Sequence, residues 1–381
     1  MQKRDTFPRL TLAPANGGKR RHLLHIFPSF AIGGAQSRLL QLTRAYGDTY
    51  SHTILALDGC YDMAARMPDV APIQYLDAKI GKRDGLAAIK QIRGVIAAAR
   101  PDVLITYNWG AIEWAFVNRL FGLSRHIHIE DGFGPDEHDR QFRRRVLFRY
   151  LALRGRRTIV VLPSRTLVRI ATQQWRLPVR SLRYISNGID CARFAVSRKN
   201  AEQGEPLIVG TVASLRPEKN LTRLIYAFAL ARADRPAVDL RLLIVGDGRE
   251  RGALQESAKE VGCAESVIFV GATDKPESYL AKMSIFAMSS DTEQMPLTVL
   301  EAMASGLPVV STDVGDIADM VSSENIPYVT KLCDEGGLRR SLVALIDSAS
   351  TRAALGQLNS EKALANFNYT QMASKYAELF D

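Results

Sequence analysis

Cysteine is scarce in this sequence, and long apolar runs are missing altogether. Four cysteines, Cys60, Cys191, Cys263 and Cys333, lie far apart and form no C-x-x-C pair. Neither a disulfide framework nor a thiolate zinc site is expected, and they read as buried or incidental thiols in a reducing cytoplasm. No apolar stretch approaches the ~18 residues of a membrane span, which excludes an integral helical membrane protein. Where a signal peptide needs its apolar segment, residues 1–22 instead carry Asp5, Pro8, Pro14, Asn16 and a Gly17-Gly18 pair. Export by that route, and hence a location outside the cytoplasm, is not expected. H-E-x-x-H, EF-hand and D-x-D patterns are absent, and His and acidic residues never gather at ligand spacing, so no metal is expected to take part. Internal repeats and low-complexity tracts are also missing.

What the chain has is length, balance and two concentrations of positive charge. Its 381 residues favour two domains, and 46% hydrophobic against 24% charged residues is a globular balance that excludes disorder over most of the length. The net charge of +10 is local. Between Arg140 and Arg157, RQFRRRVLFRYLALRGRR carries eight arginines and no acid, and residues 1–21 carry six Lys/Arg against Asp5. The rest is close to neutral. The first 21 residues read as a basic tail. The 140–157 segment has two readings: an interfacial helix on anionic lipid, since Val146, Leu147, Phe148, Tyr150, Leu151 and Leu153 interleave with the arginines, or a solvated helix face whose apolar side packs in the core. No recognition motif accompanies it, so nucleic acid is not an expected partner.

Short apolar strands alternate with longer helical patterns, the pattern of α/β architecture with mostly parallel sheets. Strands are predicted at His22–Phe27, Thr53–Leu57, Val103–Thr106, His126–Ile129 and Thr158–Leu162, with helices at Ala35–Tyr46 and Leu86–Ala99 between them. The pattern restarts with Leu207–Thr211, Leu240–Val245, Val267–Val270, Ile285–Met288 and Pro308–Ser311. The polar stretch SRKNAEQGEP near 196–206 marks a boundary between domains at 22–196 and 207–365, with 366–381 as a C-terminal segment. In such doubly wound sheets ligands bind outside the carboxyl ends of the strands, so the loops there are expected to carry the chemistry.

The densest concentration of candidate chemistry is Ser290 through Val310. A helix is predicted to begin at about Pro296 or Leu297, because proline suits a first helical turn. The preceding loop, with Gln294, Met295, Pro296 and Leu297, offers N–H groups and the positive end of a helix dipole to a diphosphate. Glu301, about a turn inside, is placed to accept from ribose hydroxyls, and Glu293 from sugar hydroxyls. Helix capping and a surface charge are the alternative uses of these two acids. Gly33-Gly34 follows the first strand and opens a helix, where glycine lets backbone approach a phosphate or sugar, or simply makes a turn. Arg216 and Lys219 follow the first strand of the second half. Fixed cations there would stabilise charge developing on a departing diphosphate, or else belong to a solvated helix start. Gly246-Asp247-Gly248 ends a strand in a tight turn. Asn187-Gly188 is a turn signal, both residues tolerating positive φ. His126 and His128 alternate along a strand and read as packed or exposed strand residues.

The run from Ser290 to Val310, continuing as GLPVVSTDVGDIADMV at 306–321, resembles the signature of glycosyltransferase family 4, the retaining, sugar-nucleotide-dependent transferases of the GT-B fold. Further stretches agree in order: GGAQ at 33–36, ISNGID at 185–190, GTVASLRPEKN at 210–220, LLIVGDGRE at 242–250 and FNYTQMASKYAELF at 367–380. The resemblance implies two Rossmann-like doubly wound parallel-sheet domains facing a central cleft, an N-terminal acceptor domain, a C-terminal donor-nucleotide domain and a last helix crossing back to the first. It implies transfer of a sugar from a UDP- or GDP-sugar to an acceptor hydroxyl without a cofactor or metal, and the arginine-rich 140–157 segment points to a glycan or lipid-linked acceptor, such as an envelope or exopolysaccharide intermediate, at the inner face of a membrane. Gly33 and Gly34, and less directly Gln36, would line the donor phosphate. The family's Arg–Lys diphosphate clamp maps its lysine onto Lys219 and its arginine onto Ser214, leaving Arg216, two residues on, as the replacement. Gly246, Asp247, Thr273 and Asp274 fall near the nucleotide. The family's histidine after the fourth strand, commonly in E-H-G, falls on Asp131 in Glu130-Asp131-Gly132. An aspartate there would accept from a sugar hydroxyl or steady positive charge at the anomeric carbon, unless a general base lies elsewhere, with Glu130, Glu137 and His138 nearby. A sugar-nucleotide epimerase or hydrolase on the same fold, and a non-catalytic nucleotide-sugar binding protein, are the rival readings.

Overall fold

A computed structural model of the chain describes residues 20–77, 85–133, 137, 141–195, 205–332, 334 and 336–381. The basic tail through residue 19, His138, Cys333 and most of the expected boundary at 196–206 lie outside these residues. The chain forms two compact units, one running through Asn187 and taking in Tyr369–Asp381, the other Gly188–Asn368. The changeover therefore comes at Asn187/Gly188, ahead of the polar stretch that composition singles out.

The first unit is built on a parallel sheet of β1 (Arg21–Phe27), β2 (Tyr50–Ala56), β3 (Ile73–Leu76), β4 (Val103–Tyr107), β5 (Arg125–Ile129), β6 (Thr158–Leu162) and β7 (Leu182–Tyr184), ordered β3-β2-β1-β4-β5-β6-β7. Apolar residues of adjacent strands cover both faces. Leu23, Phe27 and Ile105 join one cluster, and Leu24, Ile26 and Leu104 another. Burial on both faces is what a parallel sheet flanked by helices requires. The strands missing from the sequence reading, β3 and β7, are the two edges; they are short, and Gln74, Tyr75, Arg183 and Tyr184 are exposed, which leaves no apolar run to read.

The last helix, Tyr369–Phe380, packs in the first unit's core through Tyr369, Met372, Tyr376 and Phe380. The Phe380 ring meets Tyr46 and Tyr50 edge-on at 6.1 and 5.5 Å, and the Tyr46 hydroxyl donates to the Ala373 carbonyl. Such edge contacts add to area burial.

The second unit repeats the scheme with β8 (Leu207–Val212), β9 (Leu240–Val245), β10 (Val267–Gly271), β11 (Ile285–Met288), β12 (Val309–Thr312) and β13 (Val329–Thr330), ordered β10-β9-β8-β11-β12-β13 and parallel throughout. The helix predicted near Pro296 is Leu297–Ala304, with Pro296 in extended conformation just before it. It is braced from behind. Helix Ala349–Asn366 approaches so closely at Gly356 that a Cβ there would lie 2.1 Å from the Gly306 carbonyl oxygen. Asn359, fully buried, donates to Leu307 O at 3.0 Å and to Asn325 Oδ1 at 2.8 Å. No helix among the described residues is long and apolar enough to cross a membrane.

The first sheet also buries histidines. His25 bonds Tyr107 Oη and His52 Nδ1, each at 3.0 Å, while Thr106 Oγ1 bridges His126 Nε2 and His128 Nδ1 at 2.9 and 2.8 Å. Burial holds His25 well below 6.5, and pushes His52 and His126 down to about 3. The folded state thus binds fewer protons than the unfolded chain, so this stability is complete above pH 6.5 and is lost as pH falls toward 3. Each such histidine contributes a slope of up to about 1.4 kcal/mol per pH unit. The melting temperature should therefore fall steeply between pH 6.5 and 4.5, and less steeply in His126→Gln; a flat profile from pH 7 to 5 would contradict the buried neutral state.

Candidate active site

In the second unit the candidate residues gather in the loops beyond β8 and β11. After β8 the chain reaches Arg216, itself extended, makes a single 3-10 turn at Pro217–Lys219, and reverses at Asn220, whose φ of +40° is left-handed. The Asn220 side chain then caps helix Leu221–Asp234 by accepting from Arg223 N at 3.2 Å. Proline at the first position of the turn and asparagine at the left-handed position are the residues such a reversal favours.

This reversal brings Lys219 to Glu293, with Nζ 2.5 Å from Oε1; Ser290 Oγ donates to the same oxygen at 2.9 Å. The pair retains partial solvent access, at 23% and 11% side-chain exposure. The strap around it is wholly polar. Asn220 Nδ2 donates to both oxygens of Asp291 at 3.1 Å, Arg223 lies 2.7 Å from Asp291, and Ser289 Oγ donates to Asn220 O at 2.8 Å. Beneath it, Gly315 adopts φ +63°, and a Cβ there would sit 2.5–2.6 Å from the carbonyl oxygens of Gln294 and Glu293. The Glu293-Gln294 backbone is thus fixed by a contact only glycine permits.

The other candidates divide by orientation. Met295 turns inward, 5% exposed, into the cluster holding Val299, Leu300 and Ile317, and so anchors the loop. Arg216 is exposed, and Ser214 is half-buried with its carbonyl accepting from Arg216 N. At Gly246, φ +138°, a Cβ would overlap the Ala213 carbonyl oxygen at 1.8 Å, which locks the β9 turn against the β8 loop. Asp247 is exposed; its Oδ1 accepts from Gly248 N at 2.8 Å, and Arg251 lies 3.5 Å away.

Glu301, one turn into helix Leu297–Ala304, has its pKa pushed up to about 7, chiefly by burial; Arg193 works against the shift and Glu277 adds to it. Arg193 Nη2 donates at 2.8 Å both to Glu277 Oε2 and to the carbonyl of Asp274, next to Thr273. Sequence reading missed Arg193 and Glu277 because no local motif contains them; the position of Asn220, Arg223 and Asp291 inside or beside the quoted motifs was the available signal for the polar strap.

In the first unit Gly33 is extended, at φ −167°, before helix Gly34–Tyr46, and a Cβ on it would lie 2.8 Å from Gln36 Oε1. Asp131 is not isolated. Arg38, 3% exposed, holds it bidentately at 2.6 and 2.7 Å and also donates to Asn187 Oδ1 at 2.9 Å. Asn108, at φ +54°, accepts from Asp131 N at 2.7 Å. Arg38 lies next to GGAQ, yet nothing local connects it to Asp131 across 93 residues. Asn187 and Gly188 do not take positive φ; Asn187 is buried, serving the Arg38 clamp instead of a turn.

Glu130 and Glu137 are also committed. Arg149, fully buried among the rings of Trp109, Phe133 and Trp175 at 4.9–5.3 Å, pairs with Glu137 at 2.9 Å and approaches Glu130 at 3.5 Å. Burial works against the Glu137 carboxylate, but Arg149 and Arg145 more than offset it and hold its pKa below the usual range. The arginine-rich helix, Arg143–Leu153, therefore turns Arg149 and Arg145 inward and leaves Arg143, Arg144, Leu147 and Leu151 exposed. Among the described residues no group of three or more His, Cys, Asp or Glu is arranged to hold a metal ion.

Residues 33–188 match the family described as Glycosyl transferase 4-like domain, and residues 193–362 match Glycosyl transferases group 1. A GDP-mannose-dependent alpha-mannosyltransferase of Mycobacterium tuberculosis is 36% identical over 147 residues, 36% of this chain and 35% of that protein. The lipopolysaccharide core biosynthesis glycosyltransferase LpsE of Rhizobium meliloti is 30% identical over 214 residues, 55% of this chain and 60% of that one. The chain thus spans less than two thirds of these relatives' lengths. Among solved structures, Anabaena HepE in complex with UDP-glucose aligns over 94% of this chain and 98% of its own, with a TM-score of 0.79 at 18% identity, a likeness of fold. Two family regions in sequence order, lying on two parallel α/β units, establish that this chain belongs to the GT-B glycosyltransferases of the family 4 type.

Proposed function

We propose that the chain is a cytoplasmic, retaining, metal-independent glycosyltransferase that moves a sugar from a UDP- or GDP-sugar to the hydroxyl of a lipid-linked or envelope-polysaccharide acceptor. The observation that carries this reading is the Lys219–Glu293 pair at the head of helix Leu297–Ala304, with Glu301 one turn further on. The relatives support a nucleotide-sugar donor, one being named for GDP-mannose and a fold neighbour having been solved with UDP-glucose.

In this reading the second unit is the donor domain and the first the acceptor domain. The acceptor oxygen attacks the anomeric carbon on the face from which the diphosphate departs. One C–O bond forms and the C–O bond to phosphate breaks. The acceptor proton passes to the leaving phosphate oxygen. The diphosphate competes with Glu293 for Lys219, and release of the carboxylate lets Glu293 accept from sugar hydroxyls. Lys219 and the exposed Arg216 stabilise the departing charge. Asp131, neutralised by Arg38, would act as a fixed acceptor for a sugar hydroxyl, while the Arg149 pairing gives Glu130 and Glu137 a structural role. Outward-facing Arg143, Arg144 and Arg154 with Leu147 and Leu151 would rest on an anionic membrane.

Three outcomes follow from these assignments. Lys219→Ala should lower kcat/KM about 100- to 1,000-fold, the scale for losing one preorganised charge-stabilising group, with little change in melting, since the pair is partly exposed. Retained binding without turnover in the wild type, tested against lipid-linked and polysaccharide acceptors, would instead identify a nucleotide-sugar binding protein. Ribose hydroxyls donate, so ionised Glu301 is the better acceptor. Affinity for UDP or GDP, read by thermal shift, should rise about tenfold from pH 6 to 8, through the pKa near 7, and Glu301→Gln should abolish that rise. Arg143→Gln/Arg144→Gln/Arg154→Gln should weaken sedimentation with anionic liposomes, and unaltered sedimentation would remove the membrane contact. Arg145 is left in place because it pairs with Glu137.

A further inference from the structure

The first unit contains a cavity of about 220 Å³ that none of the residues discussed so far explains. Its walls are Leu57, Ile89, Ile92, Trp114, Val117 and Phe148. These come from one residue past the carboxyl end of β2, from the first two turns of helix Leu86–Ala99, from helix Ile112–Phe121 and from the arginine-rich helix. Leu57 thus puts one wall of the cavity at the carboxyl end of a strand, the end where ligands of such folds bind. One lining side chain, Glu113, is ionisable, and it is exposed. A largely apolar space of this size is suited to hydrocarbon and offers a polar molecule few partners.

The helix that contributes Phe148 carries exposed arginines as well. Arg144, one turn before Phe148, and Leu151, one turn after it, lie on the same helix face, and both are exposed, as are Arg143, Leu147 and Arg154. Leu147 and Leu151 are 58% and 40% exposed. An apolar cavity flanked by a cationic, partly apolar helix face is complementary to a molecule with a hydrocarbon chain and an anionic head. We propose that this cavity binds the hydrocarbon chain of a lipid phosphate, with Arg144 and its neighbouring arginines taking the phosphate. The identity of that lipid as the sugar acceptor rests on the function proposed above; the binding itself does not.

The test uses the full chain and n-alkyl phosphates from butyl to dodecyl, below their micellar concentrations and without donor. Binding is followed by tryptophan fluorescence, since Trp114 lines the cavity, and by calorimetry. Affinity should increase about fourfold per methylene, the equivalent of ~0.8 kcal/mol per buried CH₂, and level off once the cavity is filled. Ala88, a half-buried lining residue, offers a way to fill the space from its rim. Ala88→Phe should weaken the longer chains at least tenfold while Ala87→Phe, on the exposed side of the same helix, leaves them unchanged. Arg144→Gln should weaken every chain length by a similar factor, and n-alkanols should bind more weakly than the matching phosphates. Affinity independent of chain length, or unchanged in an Ala88→Phe variant that melts like wild type, would overturn the proposal. Chain-length-dependent binding with no sugar transfer to any acceptor would leave the cavity assignment standing and remove the transferase reading. Transfer to a water-soluble acceptor with no alkyl phosphate binding would do the reverse.

Discussion

The contact on which the candidate donor site depends is the Lys219–Glu293 ion pair. It joins two loops 74 residues apart, and each loop is held there by something other than the pair. The β8 loop reaches it because Asn220 reverses the chain in a left-handed conformation and Asp291 holds the Asn220 amide. The β11 loop reaches it because Gly315 lets another segment pass directly beneath Glu293 and Gln294. Such a supporting shell fixes charged side chains without burying them completely, and leaves each able to exchange its partner for a ligand. A fully buried pair would be held too tightly for that exchange, because separating it would strand an uncompensated charge.

The first unit spends its charge differently. Arg149 with Glu130 and Glu137 has almost no solvent access, and Arg38, itself 3% exposed, pairs with an Asp131 that keeps 20% exposure. Arg149 adds three aromatic faces to its carboxylates, a setting that suits a planar, weakly hydrated guanidinium better than an ammonium. The consequence for function is that acids read from sequence as possible proton acceptors arrive already neutralised. Beside these pairs the unit carries an apolar cavity and, on the helix Arg143–Leu153, exposed arginines.

Much of the architecture is legible in the sequence. Interior strands such as β6 and β9 read correctly because apolar runs bounded by polar turns have one plausible home in a parallel sheet. Edge strands β3, β7 and β13 did not, because an edge needs neither the length nor the apolar content that makes a strand visible. The helix after Pro296 was legible because proline and the apolar spacing agree there. The turn expected at Asn187-Gly188 was not formed, since a buried guanidinium 149 residues away uses the asparagine amide.

The α/β class and the tandem arrangement of two sheets are readable from residues adjacent in the chain. These follow from local periodicity and from ordered motifs, each carried by neighbouring residues. The partners come from packing: Lys219 meets Glu293, Arg38 pairs with Asp131, Met295 points inward, and Arg149 turns its side chain from a basic helix into an aromatic cage. Ion pairs and cavities are made by residues far apart in the chain, and their geometry is set by packing, which no local pattern encodes.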